Sequence, residues 1–219
     1  MERSAGILLP IFSLPGPYGV GTLGAEARAF ADFLHAAGQR WWQILPVGPT
    51  GGGESPYTSV STFAGNPLFI DPAALADQGL LTEAELKAAE LPEEDRVDYA
   101  ALRQSREVLL RRAFSRLDGA RAQTVRDFTE RNPWVKEYAL YRALKRRFGE
   151  SAWYDWPEET LRRHESAALE RWRVALAEDV AFHAWVQQVF FAQWAELKAY
   201  VNGLGIRIIG DLPIYVSLD

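Results

Sequence analysis

Two rhythms of apolar and polar positions run along this chain. From Gly24 to Ala37, Phe30, Phe33, Leu34 and Ala37 recur at i, i+3, i+4 and i+7, which predicts a helix that buries this face. Gly38 follows as its C′ residue. Trp41 to Val47 is a short run rich in aromatic and branched residues, closed off by Pro46 and Gly48, and it reads as a buried strand. Gly48-Pro49-Thr50-Gly51-Gly52-Gly53 is then a long turn signal. Small polar and aromatic residues come next, Ser55 and Tyr57 among them, before Gly65-Asn66-Pro67 turns the chain into a second apolar run, Leu68-Phe69-Ile70. Residues 6 to 22, rich in glycine and proline, read as an extended lead-in.

After Asp71 the strand rhythm disappears. Thr82 and Glu85 have capping-box spacing. A longer helix from Asp98 carries Leu102, Leu109, Leu110, Ala113, Phe114 and Leu117 on one stripe, with Gly119 as its end. Asn132-Pro133 interrupts, and Trp134 to Phe148 resumes with Tyr138, Tyr141, Leu144 and Phe148 on one side. Leu161 to Arg173 is charge-rich and reads as solvated helix faces. A long apolar helix runs from about Leu169 to Val201 and stops at Gly203 and Gly205. Ile206-Arg207-Ile208-Ile209 is then a short strand with Asp211 just past its end. Helix, tight turn, strand and acidic residue are the βα pattern of a barrel. The chain divides at this level into 1–71, a helical stretch 72–165, and 166–219; no internal period is found.

Composition narrows the function. A net charge of −5 without a basic stripe speaks against a nucleic-acid partner. With no cysteine, disulfides, cysteine metal sites and cysteine nucleophiles are excluded. No run approaches the roughly 18 apolar residues of a membrane span. The N-terminal apolar stretch is broken by Pro10 and Pro15, which argues against a signal peptide, so a soluble cytoplasmic protein is expected. Eight tryptophans are unusual. Aromatic rings serve sugar sites because pyranose C–H faces are apolar, although rings fill cores more often.

Five segments carry a resemblance: Ser13 to Gly21, Trp42 to Pro46, Gly48-Pro49-Thr50 with Ser55-Pro56-Tyr57, Ala64 to Pro67, and Arg207 to Ile214. In this order they resemble the signatures of amylomaltases, the 4-alpha-glucanotransferases of glycoside hydrolase family 77. The resemblance implies an α/β fold: the N-terminal part, about three strands, of a (β/α)8 TIM-type barrel with an inserted all-helical subdomain. It implies a retaining transfer of α-1,4-glucan segments, with an aspartate nucleophile and a glutamic acid about 5–5.5 Å apart, and no cofactor. Those carboxylates sit on later strands in the family, and no counterpart is found here, so no catalytic residue is expected in this chain. A truncated, inactive chain of poor independent stability is the expectation, since an unclosed barrel exposes strand edges.

The candidate glucan-binding residues are Ser55, Tyr57, Asn66 and Asp211. Asp211 could accept hydrogen bonds from sugar hydroxyls, or it could be an N-cap or loop brace. Ser55 and Tyr57 suit a polyol, but Ser-Pro also starts turns. Asn66 could serve only to brace its turn. Many relatives carry an aromatic where Gly52 stands, which puts remote glucan contacts in doubt. The three glycines at 51–53 lack the Lys-Ser/Thr of a phosphate loop, no Gly-x-Ser-x-Gly elbow occurs, and His35, His164 and His183 have no metal-ligand spacing. The rival readings are a non-enzymatic carbohydrate-binding fragment and a helical interaction protein built on 72–202.

Overall fold

The computed structural model describes residues 3–92, 96–213 and 215–219. Strands β1 (Gly6–Leu8), β2 (Trp41–Gln43), β3 (Thr58–Ser59), β4 (Arg207–Ile209) and β5 (Tyr215–Val216) form two small sheets. The first has the order β1-β2-β4 and is parallel throughout, with Trp41 opposite both Gly6 and Arg207. The second pairs β3 with β5, also in parallel. Parallel neighbours separated by long helical connections mark an α/β fold.

The first sheet has the three strands that the resemblance implies, but one of them comes from the stretch expected to be an extended lead-in. The lead-in supplies β1, tied in by Arg40 N–H to Ala5 O (2.9 Å) and Leu9 N–H to Gln43 O (3.0 Å). Three residues before Pro10 are too few to show a period, so this strand exists only through its partner. The run Leu68-Phe69-Ile70 is buried without being a strand: Pro67–Phe69 is a 3-10 turn. In the β2 run, Trp42, Ile44 and Pro46 are buried while Trp41, Gln43 and Leu45 are half-buried, a period-2 alternation that outlasts the ladder itself.

Helices are α1 (Ala25–Ala36), α2 (Pro72–Asp77), α3 (Glu83–Ala88), α4 (Tyr99–Phe114), α5 (Gly119–Arg131), α6 (Trp134–Arg147), α7 (Glu159–Arg162), α8 (Ser166–Ala175) and α9 (Ala177–Gly203). Every regular element described between Pro72 and Gly203 is helical. In α1 the buried face is Ala27, Ala31 and Leu34, whereas Phe33 is 56% exposed and stacks on Phe30. Of the expected face only Leu34 is fully buried. The alanines win because they let the helix approach the sheet closely enough for Phe30 to meet the Trp42 ring at 5.1 Å.

Local signals set most helix ends. Thr82 and Glu85 form the reciprocal capping box, and Asp98 caps α4. Gly119 opens α5 instead of ending α4, because Asp118 takes the N-cap and accepts from Arg121 N–H. The long helix expected from Leu169 is two helices, broken at Leu176 (φ −112°, ψ 27°). Leu161 and Ala168 are buried with Leu140, Leu144 and Trp156, so Leu161–Arg173 is amphipathic and not simply solvated. α9 packs against α6, α5, α1 and β4. Its Phe182, Trp185 and Phe190 share one core with Trp42, Ile70, Leu75 and Leu102, which joins α2 and α4 to the sheet layer.

Candidate functional site

The loops that leave the C-terminal ends of β2 and β4 meet. After β2 the chain turns back on itself: Gly51 N–H donates to Thr58 O (2.7 Å), and Thr50 bridges Ser59. This hairpin carries β3, which pairs with β5, the strand just beyond β4's own loop. The result brings Tyr57 to Asp211, and the phenol donates to Oδ2 of the carboxylate at 2.8 Å. The other oxygen of Asp211 accepts from Leu212 N–H at 2.8 Å. Tyr57's phenol is held above its ordinary 10.0 chiefly because the hydrogen bond to Asp211 favours the neutral form. Ser55 lies in the same turn, its Oγ accepting from Tyr57 N–H at 3.3 Å. Three of the four candidates therefore gather at one place: a carboxylate acceptor, a phenol that donates or accepts, and a hydroxyl. Ile214, the last residue of the motif around Asp211, lies outside the described residues.

Asn66 does not join them. It is buried, its Oδ1 accepts from Leu68 N–H (3.0 Å), and its N–H donates to Val47 O (2.8 Å). It caps the 3-10 turn that leads the chain out of the loop.

The far half of the loop is held from α9. Gln187 is wholly buried and makes both bonds a peptide group would make to Gly65: Oε1 accepts from Gly65 N–H (2.8 Å) and Nε2 donates to Gly65 O (3.0 Å). Gln193 does the same to Asp71, at 2.8 and 3.1 Å. Sequence reasoning missed both. The available signal was a pair of long amides inside the apolar stripe of α9, where an unpartnered polar group is costly. From α4, buried Arg106 donates to Ile70 O, and burial pushes its guanidinium down to about 10.

Between the loop and the helices lies a cleft of about 810 Å³, lined from both halves of the loop. Thr50, Gly51, Glu54 and the candidate Asn66 line one side, and Arg103, Tyr141 and Arg142 are among the helical residues lining the other; Ser55, Tyr57 and Asp211 are outside it. Glu54 crosses it, taking Thr50 Oγ1–H at 2.7 Å and the Arg103 guanidinium on its two oxygens. Deeper in, buried Lys145 pairs with Asp219. His183 is held well below its usual value, first by burial and then by Arg142, Arg111 and Arg146. Among the described residues no group of three or more His, Asp and Glu is arranged to hold a metal ion. No helix among them is long and apolar enough to cross a membrane.

A family model described as 4-alpha-glucanotransferase matches residues 9–219. The chain belongs to the 4-alpha-glucanotransferase family. It is 48% identical to the 4-alpha-glucanotransferase of Thermus thermophilus, covering 100% of this chain and 44% of that one. The enzyme of Aquifex aeolicus is 44% identical, with coverages of 98% and 44%. Among solved structures, the amylomaltase from Streptococcus agalactiae in complex with acarbose superposes with a TM-score of 0.95 at 39% identity, covering 99% of this chain and 44% of that one. The chain thus spans under half the length of the 4-alpha-glucanotransferases it matches.

Proposed function

We propose that this chain supplies the first part of the glucan site of a 4-alpha-glucanotransferase. That enzyme moves α-1,4-glucan segments to a glucose or maltooligosaccharide acceptor by a retaining double displacement. In this reading the three strands of the first sheet begin a (β/α)8 barrel, and residues 72–165 are a helical insertion in it. The carboxylates that attack and protonate lie outside these residues. Tyr57 and Asp211 hold a glucosyl unit through its hydroxyls, Ser55 adds a hydroxyl, and Asn66 sets the loop that delivers them. No cofactor takes part, because carboxylates and sugar hydroxyls suffice for the chemistry.

One observation carries the reading: the 2.8 Å hydrogen bond from Tyr57 to Asp211, across 154 positions of sequence, at the strand ends where parallel α/β folds bind ligands. Family membership and the acarbose held by the Streptococcus agalactiae amylomaltase support the choice of an α-glucan. Titration of the chain with maltotriose tests it. Asp211→Asn should weaken binding about tenfold, and Tyr57→Phe should do so by a similar factor. Unchanged affinity in both variants would remove these residues from the site. Glucose release from maltotriose by the chain alone would overturn the placement of the catalytic carboxylates elsewhere.

A further inference from the structure

The loop that delivers Tyr57 also carries a large apolar side chain into the open. Phe63 is 66% exposed. Its ring lies nearly parallel to that of Trp134, with centroids 6.1 Å apart and planes inclined by 22°. Trp134 is itself wedged edge-on by Tyr138 (6.3 Å) and Phe191 (5.8 Å). The backbone that presents Phe63 is pinned on both sides. Ser61 Oγ accepts from the N–H groups of Phe63 (3.3 Å) and Ala64 (3.2 Å), and Gln187 holds Gly65 directly after them. A lone exposed phenylalanine needs no explanation. A stacked ring pair, fixed on a braced loop with its outer face free, is a preformed flat apolar surface.

We propose that Phe63 and Trp134 form an aromatic platform for a glucosyl unit of the same α-1,4-glucan, extending the Tyr57–Asp211 site along its loop. This rests on the glucan reading above. The C–H face of a pyranose is apolar and matches an exposed ring, while its rim of hydroxyls stays in water. Rigid rings lose little conformational freedom on binding. The loop also specifies the chemistry of its occupant: from Ser55 to Asn66 there is no charged residue. That suits a neutral polyol and not an ionic partner. Phe63 lies six positions beyond Tyr57, so their backbones are at most about 20 Å apart, a reach that a maltooligosaccharide of a few units spans. On the platform, a longer glucan held at Tyr57 and Asp211 continues to Phe63, and a short one is held at the first place alone.

The test compares maltotriose with maltoheptaose by titration calorimetry on the 219-residue chain. Phe63→Ala should weaken maltoheptaose about fivefold to tenfold and leave maltotriose within about twofold. Phe63→Tyr should keep the maltoheptaose affinity, and Trp134→Leu should lower it in the same length-dependent way. Equal effects of Phe63→Ala on both sugars, or none on either, would overturn the platform while the glucan site stands. So would a lowered thermal midpoint with an unchanged ratio of affinities, the mark of a ring that only packs. Absence of any maltooligosaccharide binding by the unsubstituted chain would overturn both the platform and the glucan reading.

Discussion

The loop between β2 and α2 is continuous in sequence, but its two halves are held by different physics. Residues 64–71 are fixed by buried amides: Gln187 and Gln193 make four hydrogen bonds to Gly65 and Asp71, and Ala64, Gly65 and Asn66 are all buried. Residues 51–54 are fixed at the surface, where a Cβ added to Gly52 or Gly53 would meet nothing within 4 Å and Glu54 reaches Arg103, whose side chain is 47% exposed. A buried hydrogen bond cannot be exchanged for water, so losing it leaves polar groups stranded. An exposed ion pair gives way to water at little cost. The loop is therefore anchored at its exit and adjustable at its tip. Tyr57, which meets Asp211, sits between the two.

Substitutions at the anchored end should break this contrast hardest. A Cβ on Gly65 would sit 2.0 Å from the Phe190 ring, so Gly65→Ala should cost about 3 kcal/mol in urea denaturation, as overpacking does. Gln187→Leu strands the Gly65 N–H and C=O and should cost about 2 kcal/mol by the same measurement. At the tip, Arg103→Met should cost only about 0.5 kcal/mol, and less as salt is raised. A loss as large as that of Gln187→Leu would erase the distinction. Gly52→Ala should be smallest, within about 0.5 kcal/mol, because nothing lies near the added methyl.

A titration sharpens the same contrast. Burial pushes the Asp71 carboxyl above its ordinary 3.8, against the opposing backbone hydrogen bonds from Ala73 and Ala74. A raised carboxylate contributes stability below its unfolded value and loses it as pH rises through the folded one. Asp71→Asn should therefore remove a decline in stability that begins just above pH 3.8. Glu85 runs the other way. Arg116 and the capping box hold it from 4.5 down to about 2, so its contribution is lost as pH falls across that window. Urea midpoints from pH 2 to 7 for the wild type, Asp71→Asn and Glu85→Gln would separate the two. A wild-type curve unchanged by either substitution would refute both assignments.

Features written within a few residues were legible. The capping box at Thr82 and Glu85, the C′ glycine Gly38 at φ 68°, and the helix restart at Trp134 all depend on neighbours in sequence. The buried face of α1 is not the one its largest side chains mark, because the sheet selects Ala27 and Ala31 for close approach. The glutamine anchors were invisible because each bond joins residues 122 positions apart. Of the site, the residue types and their loops could be read in advance. Asn66 braces its turn and also lines the cleft, so both of its alternative roles stand on the structure's geometry.

By itself the sequence determined that the stretch between Pro72 and Gly203 is helical, where several of its helices are capped, and that a carboxylate and a phenol sit just past strand-forming runs. Those outcomes follow from local propensity, capping and period, which act over a few residues. Only the tertiary structure decided that Gly6–Leu8 is a strand, that α9 anchors the loop, and that Tyr57 donates to Asp211. Each of these needs a partner distant along the chain, and a pairing energy exists only once packing has brought the two together.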